Sequence, residues 1–86
     1  GFPARRAGDD VRLGWSLPDD AESAVLYRAE RREGPYDVIA EDLGGTDFTD
    51  RNAPPAGWYM LRAKGLTRVN AGSVYRLSAG VFAAAP

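Results

Sequence analysis

The chain has 86 residues, 44% of them hydrophobic and 27% charged, with a formal net charge of -1. That is the size and balance of one folded module, too short for two independent cores and too apolar for a disordered chain. Cysteine and histidine are both absent, which excludes a disulfide framework, thiolate chemistry, a Ser-His-Asp triad and the imidazole ligands of most zinc and copper sites, while leaving the redox compartment open. The arginines are scattered and Lys64 is the single lysine, so no broad cationic face for nucleic acid is expected. No run approaches the roughly 20 apolar residues of a membrane span, and Gly1-Phe2-Pro3 does not open a signal peptide.

Short apolar or alternating runs recur between clusters of Gly, Pro, Asn and Asp, the spacing of an all-β sandwich or barrel. After a weak segment near Ala4 to Arg6, Val11, Leu13 and Trp15 alternate with Arg12, Gly14 and Ser16, a period of two that puts them on one buried face. Pro18-Asp19-Asp20 breaks that run. Ala24 to Ala29 reads as the next strand, Arg32-Glu33-Gly34-Pro35 as a break, and Tyr36 to Ala40 as a short strand followed by a turn beginning at Glu41-Asp42. Gly44-Gly45 turns the chain into Thr46-Asp47-Phe48-Thr49-Asp50, which plugs Phe48 into the core. Asn52 to Gly57, with Pro54-Pro55 at its centre, is a loop. Tyr59, Leu61 and Ala63 then alternate with Trp58, Met60, Arg62 and Lys64; Asn70-Ala71-Gly72 makes a turn; and Ser73 through Phe82 supplies the last strand, with a bulge expected at Gly80. Residues 83–86 read as a tail or linker.

One passage carries a competing pattern. Asp19 with Glu22 three residues later resembles a capping box, and Ala21, Ala24, Val25, Arg28 and Ala29 fall at helical spacing, so a helix over 21–33 competes with the strand. The compact Val25-Leu26-Tyr27 cluster, and Gly34-Pro35 leading into another strand-like run, favour the strand.

In order along the chain, Val11-Arg12-Leu13-Gly14-Trp15 with Pro18 soon after, Leu26-Tyr27-Arg28 before Gly34-Pro35-Tyr36, Ile39-Ala40, Thr46-Asp47-Phe48-Thr49-Asp50, Gly57 to Ala63, and Asn70-Ala71-Gly72-Ser73 together resemble a fibronectin type III domain of the kind found in exported bacterial enzymes and surface proteins. The resemblance covers nearly the whole chain. It implies an all-β, seven-stranded antiparallel two-sheet sandwich, immunoglobulin-like in architecture, spanning residues 1–86 as one module. Its core would include Val11, Leu13, Trp15, Leu26, Ile39, Phe48, Tyr59 and Leu61. Gly57 stands where many members carry an inward tyrosine, which calls the usual tyrosine corner into question, and the Arg-Gly-Asp adhesion tripeptide is absent. The resemblance also implies a non-catalytic spacer or docking module of a larger extracellular, cell-surface or periplasmic protein, with no cofactor. Neighbouring domains or another protein would be its partners, and polysaccharide or a role as accessory domain of an exported hydrolase the alternatives.

The residues themselves offer little chemistry. Carboxylate pairs for glycoside hydrolysis need a cleft, and the acidic residues fall in expected loops, where solvation is the ordinary state. On the topology that the resemblance implies, Asp19, Asp20 and Glu22, with Glu41 and Asp42, share one acidic pole; clustered carboxylates of this kind can hold calcium, but no loop-ligand motif is present and solvated turns are the ordinary reading. The opposite pole should collect Arg5, Arg6, Arg31, Arg32 and Arg51 with Asp9, Asp10, Glu33 and Asp50. The candidate ligand or partner face is the outward side of the sixth strand, Trp58, Met60, Arg62 and Lys64, with Tyr27 or Tyr75 beside it. Aromatics on a flat sheet stack on sugar rings or receive a protein, unless arginine and lysine stems and the Pro54-Pro55 loop cover Trp58.

Overall fold

The computed structural model describes residues 2–69 and 72–86, and the side chains of 2–66 and 77–86. Among these residues every regular element is a strand: β1 (Ala4–Ala7), β2 (Asp10–Gly14), β3 (Ser23–Ala29), β4 (Asp37–Leu43), β5 (Asp47–Asp50), β6 (Trp58–Val69), β7 (Gly72–Leu77) and β8 (Val81–Ala84). They form two antiparallel sheets, β1-β2-β5 and β4-β3-β6-β7, with β8 also paired to β6. β7 runs along Lys64 to Val69 and β8 along Trp58 to Leu61, so the two are halves of one edge strand. The fold is therefore the expected seven-stranded sandwich. Three steps of β6 from Lys64 to Leu61 face four from Leu77 to Val81, and that extra residue is the bulge foreseen at Gly80. A Cβ on Gly80 would overlap the Met60 side chain, which is why glycine stands there.

The helix over 21–33 does not form. Ala21 N–H bonds to the Pro18 carbonyl at 3.0 Å, making the apparent capping box a turn, and Ser23 to Ala29 pair with β6 at every position. Pairing on both edges and burial of Ala24 and Leu26 outweigh the helical spacing of a few alanines. Two other boundaries need correction. Glu41 and Asp42 lie within β4 rather than starting a turn, in a ladder with irregular register and with Asp42 at φ 53. Residues 83–85 are not a tail: Ala83 and Ala84 belong to β8, and Ala85 is buried with its N–H bonded to the Gly57 carbonyl at 2.7 Å.

Period-two alternation sorts each strand into an inner and an outer face. All eight expected core residues pack together, Ile39 and Phe48 only partly buried, and Phe2, Ala24, Ala53 and Ala85 join them. Trp15 follows β2 into the interior, where its indole N–H donates to the Gly45 carbonyl at 3.0 Å. Burial of such a ring is worth about 2 to 3 kcal/mol by area. The sheets are also tied by polar groups. Asp50, at the end of β5 and 7% exposed, accepts the Tyr59 hydroxyl at 2.7 Å and both carboxylate oxygens receive Arg28 Nη1, at 2.8 and 3.0 Å. Tyr59 is fully buried. Burial, then the bond to Asp50, hold its hydroxyl protonated far above the ordinary phenol range. Tyr59 reaches back to a side-chain carboxylate rather than to backbone, so this contact is not a tyrosine corner.

Candidate functional site

With Leu26 and Tyr59 inside, alternation turns Tyr27, Trp58, Met60 and Arg62 to the outer face of the larger sheet. Register then places Val38, Tyr27, Met60 and Phe82 in one row across β4, β3, β6 and β8. Trp58 lies one row toward the β3–β4 turn, opposite Ala29 and Ala84, and Arg62 one row the other way, opposite Val25. Val25 is 5% exposed although it stands outside the inner core, because on a central strand its neighbours' side chains close over it. Val38, Leu66 and Leu77 remain 49%, 37% and 42% exposed. This brings together Trp58, Met60, Arg62 and Tyr27 as one surface. Tyr75 is opposite Leu66 in β7, with its side chain outside the described residues.

Two further residues, Tyr36 and Arg32, complete the face. The Tyr36 ring lies against Phe82, centroids 5.9 Å apart and tilted by 56°. Arg32 sets its guanidinium carbon 5.7 Å from the Trp58 ring centre and 5.3 Å from that of Phe82, a double cation–π contact. Tyr36 holds this loop by donating its hydroxyl to the Arg32 carbonyl at 2.7 Å. Burial lifts the Tyr36 hydroxyl above its ordinary value, with Arg32 opposing and Glu33 adding to the shift. Trp58 is therefore partly buried, with Arg32 from the β3–β4 turn over its ring. Arg62 donates Nε to the Ser78 carbonyl at 2.9 Å, and Lys64 Nζ lies 3.4 Å from Asp42 Oδ1.

The poles are different in character. At one, Glu22 N–H bonds to the Lys64 carbonyl at 2.8 Å and Ala24 pairs with Leu43, so Asp19, Asp20, Glu22 and Asp42 gather near one end. Among the described residues no three acidic side chains converge as metal ligands would. At the other, a groove of about 670 Å³ opens between the β3–β4 turn and the Pro54-Pro55 loop, with Arg28, Arg31, Glu30 and Asp37 on its walls. Its charges are of both signs. Arg6 fixes that loop, its guanidinium donating to the carbonyls of Ala53, Pro54 and Pro86 at 3.4, 3.1 and 2.7 Å.

No family model matches the chain, and no curated protein matches it either. Among solved structures it is similar to an Fn3-like protein from Clostridium thermocellum, at 24% identity and a TM-score of 0.62, over 95% of this chain and 84% of that one. Strand order, register and that likeness agree: the chain has a fibronectin type III-like fold.

Proposed function

We propose that the chain is a non-catalytic structural or protein-interaction module that receives a neighbouring domain or another protein on the outer face of its larger sheet, within an exported or cell-surface protein. The fold supports a non-catalytic module in general. The observation that carries the docking reading is the apolar row Val38, Tyr27, Met60 and Phe82 lying flat on a sheet whose other face already fills the core. Sugar stacking needs a bare aromatic face, and the Arg32 guanidinium over Trp58 favours a protein partner instead. The exported setting is an inference from the resemblance.

A photocrosslinking residue at Val38, compared in the producing cell with one at Arg12 on the opposite sheet, tests the reading. Discrete protein adducts from position 38 and none from position 12 are expected. Equal labelling at both, or a saturable glycan-induced shift at Trp58 in the isolated chain, would sink it.

A further inference from the structure

We infer that the partner surface received by this face is apolar at its centre and acidic at its margin. This rests on the docking reading above and adds the partner's chemistry. Arg32, over Trp58, and Arg62 flank the apolar row on its two sides; their places on β6, at Trp58 and Arg62, are four residues apart, about 13 Å along a strand. Among the described residues neither guanidinium has a carboxylate partner. Arg32 lies on two aromatic rings, and Arg62 spends Nε on the Ser78 carbonyl. Each keeps planar N–H donors for an incoming group, the geometry that carboxylates match in pairs. Of the carboxylates at this rim, Asp42 is engaged by Lys64. A sheet face with two arginines that make no salt bridge among the described residues, set around aromatic and aliphatic residues, complements carboxylates flanking an apolar patch.

The probe is a random dodecapeptide library displayed on phage and panned against the intact chain, with selected peptides then titrated as synthetic compounds and followed by amide NMR. Enrichment of Asp or Glu on either side of aromatic or aliphatic residues is expected, with shifts at Tyr27, Val38 and Met60. Arg62→Glu should weaken those peptides about tenfold or more, Arg62→Lys less, with the melting temperature of each variant recorded to show that it folds. Binding should also fall as salt is raised from 50 to 500 mM, roughly the range over which exposed charges become screened. Peptides that bind this face without acidic residues, or that ignore Arg62→Glu, would overturn the acidic-margin inference and leave the docking reading standing. Peptides that map elsewhere, or self-association of the chain through this face in sedimentation, would overturn both.

Discussion

Replacing Tyr59 with phenylalanine removes one oxygen from the middle of the sandwich and little else, which makes its cost readable. The lost bond is 2.7 Å long, buried, and made to a carboxylate. Hydrogen bonds to charged groups contribute about 1.5 to 3 kcal/mol. Asp50 would keep Arg28, at 2.8 Å, so the charge is not orphaned and the lower half of that range applies, about 1.5 to 2 kcal/mol. For a domain of this size that lowers the melting temperature by roughly 6 to 16 °C. Asp50→Ala should cost more, about 3 kcal/mol, because it leaves the buried Tyr59 hydroxyl without an acceptor and Arg28 without its partner.

The same bond sets an alkaline signature. Burial, and then Asp50, raise the Tyr59 pKa above the ordinary phenol value of about 10. Above pH 10 the unfolded chain has therefore released a proton that the folded chain retains. The stabilising contribution is complete below about pH 10 and declines as pH rises beyond it, by up to about 1.4 kcal/mol per pH unit for one group. Urea midpoints between pH 8 and 11.5 measure this, with Tyr36→Phe as the control for the second raised tyrosine. A Tyr59→Phe protein within about 0.5 kcal/mol of the parent, or one with the parent's alkaline slope, would refute the account.

Gly80→Ala should destabilise by about 1 kcal/mol, since its methyl group would displace the flexible Met60 side chain; urea unfolding of Gly80→Ala in a Met60→Ala background should show much of that cost removed. Arg32→Ala should shift the indole NMR signals of Trp58 and leave those of Trp15 in place, with a loss of about 0.5 to 1 kcal/mol for the exposed cation–π contact. Arg6→Ala should cost about 1 kcal/mol and speed hydrogen exchange at the Ala85 amide, which sits beside the carbonyls Arg6 holds; unchanged exchange would show that the C-terminal strand is secured by β6 alone.

The fold was legible because its strands obey local rules. Val11, Leu13 and Trp15 alternate, and Tyr59, Leu61 and Ala63 repeat the pattern, so the inner faces of β2 and β6 could be assigned without any tertiary information. What escaped depends on partners far apart in the chain. Asp50 reads as one of the charges of the mixed pole, and only the closing of the sandwich buries it and brings Arg28, 22 residues away, against it. Ala83 to Ala85 look like a linker because alanine has little β preference, yet the edge of β6 captures them. On the outer face, Trp58 and Met60 could be named from alternation. Arg32 could not, since a loop arginine carries no mark of which ring it will cover, although Gly34-Pro35-Tyr36 beside it signals a folded-back turn.

β6 shows how one strand serves two ends. Its odd positions, Tyr59 and Leu61, are buried and bind the sheets together; its even positions, Trp58, Met60 and Arg62, lie outside that core. Because the pleat separates them, a change at Arg62 alters the outer charge while leaving Tyr59, Asp50 and Arg28 in contact. The exceptions are the positions where outer residues lean on backbone. Met60 fills the space over Gly80, so its size is tied to the bulge that lets one edge strand follow β6 along its length. Substitutions on this outer face are therefore best tolerated at Val38 and Tyr27, and less so at Arg62 and Met60, which meet the Ser78 carbonyl and Gly80 at the bulge.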